Sequence, residues 1–359
     1  MRHRLLGSIG IVSIMTAIVA LAPAPAAAQS AVKSDTGTAY KAPRTAEGQP
    51  DLSGVWANND ATPLERPKEL QGRLILTDAE VAALRKRAGE LFNGETDAAF
   101  GDEIYLAALK DAKTFSSYDK QVGNYNHFWI VDRGFDNRTA LISDPPDGRV
   151  PDLTEPAKKI MADFLEKQRV SGGGVNGNVT PDGPEDLPLG HRCITFGVPR
   201  TGAGYNSYFQ IIQAKDYVAI YQETIHDYRI IPLDNRPHAP GTIPQWLGDA
   251  RGHWEGDTLV VETKNYSSQS RFRNLPMNNM TTVERYTRIG PQTIQWDVTV
   301  NDATLYTKPW TTSIRLRTSK DQIYEFACHE GNEGLAGALS GARALEKEAA
   351  EGAAKKGSN

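Results

Sequence analysis

Cysteine is nearly missing from this 359-residue chain, with Cys193 and Cys328 the only two. Their spacing excludes a CxxC redox pair and a CxxCH haem attachment, and no cysteine follows the N-terminal apolar segment as a lipid-anchor site. Several nucleotide and hydrolase signatures are also missing. There is no P-loop, and no GxSxG elbow opens a helix. "SGGGVNGN" (171–178) is glycine-rich but follows no apolar strand and opens no helix, so no dinucleotide site is expected. "HEGN" at His329 is not HExxH. The net charge of −4 is spread over interspersed acids and bases, so neither nucleic acid nor an anionic membrane is implied as a partner. No cofactor is expected from any motif.

Beyond the first residues no apolar run approaches the ~20 residues of a membrane span. The N-terminus itself has a basic start (Arg2, Arg4), an apolar stretch from Leu5 to Leu21 and Ala26-Ala27-Ala28 before Gln29. That is the pattern of a secretory signal, residues 1–28, with a periplasmic or secreted destination. In an oxidising compartment the two cysteines form a bridge or, alternatively, two buried thiols.

Residues 29–50 carry no hydrophobic period and read as a disordered leader. "TDAEVAALRKRAGELF" opens with Thr77 and Glu80 in capping-box spacing, a second helix is expected over about 102–113, and "TEPAKKIMADFLEKQ" is a third amphipathic stretch. "NHFWIVDRG" and "RTALISDPPDGRVP" read as paired strands. From Tyr208 onward, short alternating runs are separated by turn signals at Ala214-Lys215-Asp216, Glu255-Gly256-Asp257, Gly290-Pro291 and Ser319-Lys320-Asp321. Such spacing indicates an antiparallel barrel or sandwich. The expected layout is one β-rich domain over 51–335, with a helical insertion at about 65–170 and an Ala-rich tail over 336–359.

Two resemblances bear on this. "PDLSGVW" (50–56) resembles the Gly-x-Trp entry of lipocalin-like barrels, which implies an up-and-down barrel plugged by Trp56. "DPPDGR", "IHDYRIIPLD", "GHWEGDTLVVET" and "YEFACHEGN" look like blocks of a large group of exported, mainly uncharacterised bacterial proteins, a likeness that covers most of the chain and implies no reaction. The fold expected is therefore a lipocalin-like barrel with a helical insertion, or else a β-sandwich with edge helices.

Chemistry concentrates in a few stretches. Of seven histidines, His226, His238, His253 and His329 sit beside turns with acids nearby. An extended strand through "QETIHDYR" would set Gln222, Thr224 and His226 on one face, and a strand through "IYEFACHE" would set Glu325 and His329 together. Imidazole titrates near working pH, so His226 and His329 with Glu330 are the expected proton-transfer groups, and Arg229 the stabiliser of a developing anion. Tyr221, Gln222, Glu325, Arg285 and His253 are the expected substrate contacts, and no metal site is expected. The implied activity is a cofactor-independent lyase or isomerase acting on a small polar ring compound. A non-catalytic ligand-binding barrel and a metal-dependent hydrolase are the alternatives. Oligomeric state stays open.

Overall fold

The structure, a computed structural model, describes residues 40–93, 102–115, 133–170 and 181–357. The segment expected to be a secretory signal, His127, most of "NHFWIVDRG" and the glycine-rich 171–178 stretch lie outside them. Among the described residues twelve strands and four helices follow in chain order. The first part holds β1 (Gly54–Ala57), α1 (Asp78–Leu91), α2 (Glu103–Leu109), β2 (Ile142–Asp144) and α3 (Glu155–Val170). The second holds β3 (Tyr208–Gln213), β4 (Tyr217–Gln222), β5 (Tyr228–Pro232), β6 (Asp249–Glu255), β7 (Thr258–Lys264), β8 (Arg271–Phe272) and β9 (Leu275–Pro276). The last holds β10 (Thr281–Gly290), β11 (Thr293–Asn301), β12 (Trp310–Thr318) and α4 (Glu333–Gly357).

The strands form a nearly closed antiparallel barrel in the order β5-β4-β3-β1-β12-β11-β10-β7-β6. Period-two side chains make this possible. Along β10, Thr282, Glu284 and Tyr286 are buried while Val283 and Arg285 are half-buried on the outer face. Along β12, Trp310, Thr312, Ile314 and Leu316 point in, against outward Ser313 and Arg315. The inward residues merge into one cluster containing Trp56, Phe209, Tyr286, Trp296, Ile314 and Leu316, so the interior is filled by side chains. Phe209 meets Trp296 edge-on and Tyr286 stacks on it, each at 5.7 Å.

Trp56 pairs with Thr318, the last residue of β12, and its indole donates to the Leu52 carbonyl at 2.9 Å. Arg288 lies over its ring at 5.5 Å and donates to the Asp51 carbonyl. A buried tryptophan thus stops this end of the sheet.

The expected capping box at α1 is present, Glu80 N–H donating to Thr77 Oγ1 and Thr77 N–H to Glu80 Oε2. α1 and α2 share a small apolar cluster of their own. The segment after them is tied to the outer face of β12, where Arg138 pairs with Asp60 and Asp136, and Arg315 pairs with Asp136. β2 pairs with β12.

Two expected strands do not form. Residues 224–226 are a 3-10 turn that separates β4 from β5, and 319–332 contains no strand. The first break follows from Ile225 and His226, both at positive φ; the second segment instead crosses the barrel end, held by side chains. The expected Ala-rich tail is helical as far as Gly357 in α4, with Ala342 its one buried side chain among the described residues.

Candidate functional site: the barrel seam and mouth

Every pairing around the barrel is antiparallel, and nine strands lie on the path. An odd number leaves the two edge strands, β5 and β6, running in the same direction, so the antiparallel ladder cannot close between them. At one end the seam is sealed by packing. A Cβ on Gly252 would lie 2.8 Å from both Ile231 Cγ2 and Leu233 Cδ2, so glycine at this position allows β5 to rest on β6. At the other end lies a cleft of about 660 Å³, lined by Tyr228, Arg229 and Ile230 from β5, by Gly248 to Ala250, and by Pro244 to Leu247 with Ser267. The loop carrying Trp246 is pinned by His238, whose two ring nitrogens lie 3.0 Å from Asp249 and 3.0 Å from Glu262.

Arg229 floors this cleft from inside the barrel. Its guanidinium reaches Glu284 by two hydrogen bonds, and Tyr286 Oη and Trp296 Nε1 also donate to Glu284. Burial alone would lower the arginine pKa, but Glu284 and Tyr286 outweigh it and hold Arg229 above its ordinary value. Burial, then the Glu284 charge, raises the Tyr286 phenol well above its own.

Behind Arg229 lies a second space of about 10 Å³, enough for one water, walled by Arg200, Gln222, Asp227, Arg229 and Trp296 among others. Gln222 Nε2 and Arg200 Nε are both shielded there without a hydrogen-bond partner among the described residues. The adjoining turn is strained. Ile225 (φ 61°) and His226 (φ 56°) occupy the left-handed region, costly for a β-branched residue. It is held by Thr224 Oγ1 donating to the Asn206 carbonyl and by Thr195 Oγ1 donating to Asp227 at 2.6 Å. Burial pushes the Asp227 carboxyl up to about 6, against the pull of Thr195 and Arg200. Burial also raises Glu223 and lowers Arg200 to about 10.

The 319–332 segment straps this end. Phe326 N–H donates to His226 Nε2 at 3.0 Å, Asn332 donates to the His191 carbonyl, and Cys328 is bridged to Cys193. The bridge is the expected one.

The sequence-derived residues therefore divide. Gln222 and Arg229 stand at the inner chamber, and Arg229 also at the cleft. His226 is half-buried and spends its Nε2 on the strap, while Glu325, His329 and Glu330 are exposed on it. The shared strand face expected for Glu325 and His329 does not exist, because no strand runs there. Tyr221 is half-buried on the outer face of β4, its phenol raised by burial. Arg285 and His253 meet at Glu255 on the outer face, and strand alternation places Arg285 opposite to Glu284. Arg200 and Glu284 were not singled out from the sequence; Asp227, which scans beside Arg229 as half of a surface ion pair, is instead buried against Thr195 while Arg229 pairs with Glu284. The one signal for Glu284 is its place in an alternating strand between Thr282 and Tyr286. Among the described residues no three His, Cys, Asp or Glu side chains are grouped to hold a metal ion. None of the described helices is long and apolar enough to cross a membrane.

No protein-family model, curated protein or solved structure matches the chain.

Proposed function

We propose that this chain is an exported protein that binds a small ligand in the seam cleft. The observation that carries this reading is the cleft itself: about 660 Å³ with an arginine floor and aromatic walls at Tyr228 and Trp246, in a barrel whose interior is otherwise packed. Export is supported by the N-terminal signal pattern and by a disulfide, which persists in oxidising compartments. The resemblance of its sequence blocks to those of exported bacterial proteins belongs to the same reading. Amide chemical-shift mapping tests it, using a panel of sugars, aromatic acids and short peptides. The expected result is shifts confined to 228–230 and 245–250; a panel that moves none of these amides, or moves others only, removes the cleft as the site.

A second reading, the cofactor-independent lyase or isomerase, is favoured by Asp227. A shielded carboxyl near 6 beside Arg200 and a water-sized space suits proton transfer at neutral pH. In that reading Asp227 takes the role expected for His226 and His329. Turnover of a ring compound that survives Asp227→Asn but not His329→Ala would return the chemistry to the histidines. The metal-dependent alternative gains no geometric support among the described residues.

A further inference from the structure

We propose that the occupant of the seam cleft is a short extended peptide, which adds to the free edge of β5 as a further strand. This rests on the cleft being the binding site and names the chemistry of what enters it.

The hydrogen bonds of β5 decide which of its backbone groups are free. Gln222 N–H donates to the Asp227 carbonyl and Leu233 N–H to the Asp216 carbonyl, at the two ends of the β4–β5 ladder. In an antiparallel pair the bonded residues alternate, so 227, 229, 231 and 233 face β4. The N–H and C=O of Tyr228 and Ile230 therefore point into the seam. Among the described residues no backbone hydrogen bond joins β5 to β6. Pro232 has the same orientation but no N–H, and there the packing of Ile231 and Leu233 on Gly252 shuts the seam. The free edge thus offers two donors and two acceptors spaced about 7 Å apart along the strand, the repeat of an extended peptide.

Side chains narrow the class further. Peptide residues opposite Tyr228 and Ile230 would project outward, beside two apolar side chains that are 66% and 53% exposed. The residue between them would face Arg229, whose guanidinium is already engaged by Glu284 in a filled interior, so only a small side chain fits. The pattern is apolar–small–apolar. A strand antiparallel to β5 is antiparallel to β6 as well, and as a tenth strand it restores the even count that the barrel path lacks.

The probe is acetyl-Val-Ala-Val-amide, titrated into the full protein with amide shift mapping and calorimetry. It is compared with the same peptide N-methylated at both valines and with a ring-compound panel. Binding at 228–230 and 245–250, weakened at least about tenfold by N-methylation, is the expected result. Ile230→Pro removes one seam-facing donor while leaving the ladder to β4 intact, and should weaken the peptide about three- to tenfold. If that variant misfolds, the N-methyl comparison on the wild-type protein still decides. Equal binding of the N-methylated peptide overturns the proposal, as does binding of ring compounds at these amides with no peptide binding. If neither class moves the cleft amides, the binding reading falls with it.

Discussion

Arg229 and Glu284 are joined by two hydrogen bonds of 2.5 and 3.0 Å inside the barrel, where the Glu284 side chain is 0% exposed. The pair links β5, an edge strand, to β10 across the interior, and so holds the cleft floor in place. Removing one partner leaves a buried charge unpaired. Glu284→Ala should therefore cost about 3–5 kcal/mol, whereas the double replacement Arg229→Met with Glu284→Leu should cost less, its remaining cost being the Tyr286 hydroxyl and Trp296 N–H left without an acceptor. Urea unfolding of the two variants measures the difference, and equal losses would contradict it.

Asp227 has a folded-state pKa near 6, above the 3.8 of an ordinary aspartate. Between those values the folded protein binds more protons than the unfolded chain, so stability falls as pH rises through about 4 to 6 and then levels off. The loss is on the order of 3 kcal/mol. Asp227→Asn keeps an acceptor for Thr195 and removes the titration. The variant should match the wild type near pH 4 and exceed it at pH 7. Glu223 shifts in the same direction but is present in both proteins, so the difference isolates Asp227. Unfolding midpoints across pH 4–8 check the sign.

Gly252 and Gly89 give opposite expectations for one substitution. A Cβ at Gly252 meets Ile231 and Leu233 at 2.8 Å, so Gly252→Ala should destabilise by about 1–3 kcal/mol and loosen the seam. Gly89 lies within α1 with nothing inside 4 Å, and Gly89→Ala should stabilise by about 0.5–1 kcal/mol. Thermal unfolding of both variants separates close approach from mere helix propensity.

The barrel was legible because alternation is written locally. Ile294, Trp296, Val298 and Val300 point one way regardless of what lies beyond them, and "DLSGVW" marked the strand that carries the buried Trp56. Thr77 and Glu80 likewise carry their own cap. The site was not legible in this way. "QETIHDYR" scans as a strand, but the chain takes two left-handed residues at Ile225 and His226, a choice enforced by Thr195, Asn206 and the strap, all distant in sequence. "IYEFACHE" also scans as a strand, but with its cysteine bridged to Cys193 it crosses the barrel end instead of pairing. The seam itself depends on the parity of the strand count, which no short stretch reveals.

The Cys193–Cys328 bridge closes a separation of 135 residues and fastens the strap over the chamber that holds Asp227. On the chain-entropy account a loop of that size stabilises by up to about 5 kcal/mol. Without it the strap keeps the Phe326 N–H to His226 contact and the Asn332 contact to the His191 carbonyl, each worth about 1 kcal/mol. Cys193→Ser with Cys328→Ser should accordingly lower stability by several kcal/mol and speed amide exchange across 319–332. His226→Ala in that background should free the strap further, while His329→Ala, at an exposed side chain, should change stability by less than about 0.5 kcal/mol. The cleft lies on the other side of Arg229, so ligand affinity there should hold in the cysteine-free protein at temperatures where it remains folded. Hydrogen exchange and cleft titration on the same sample settle the matter: a strap that stays protected would mean that the turn at 223–227, not the bridge, is what holds it down.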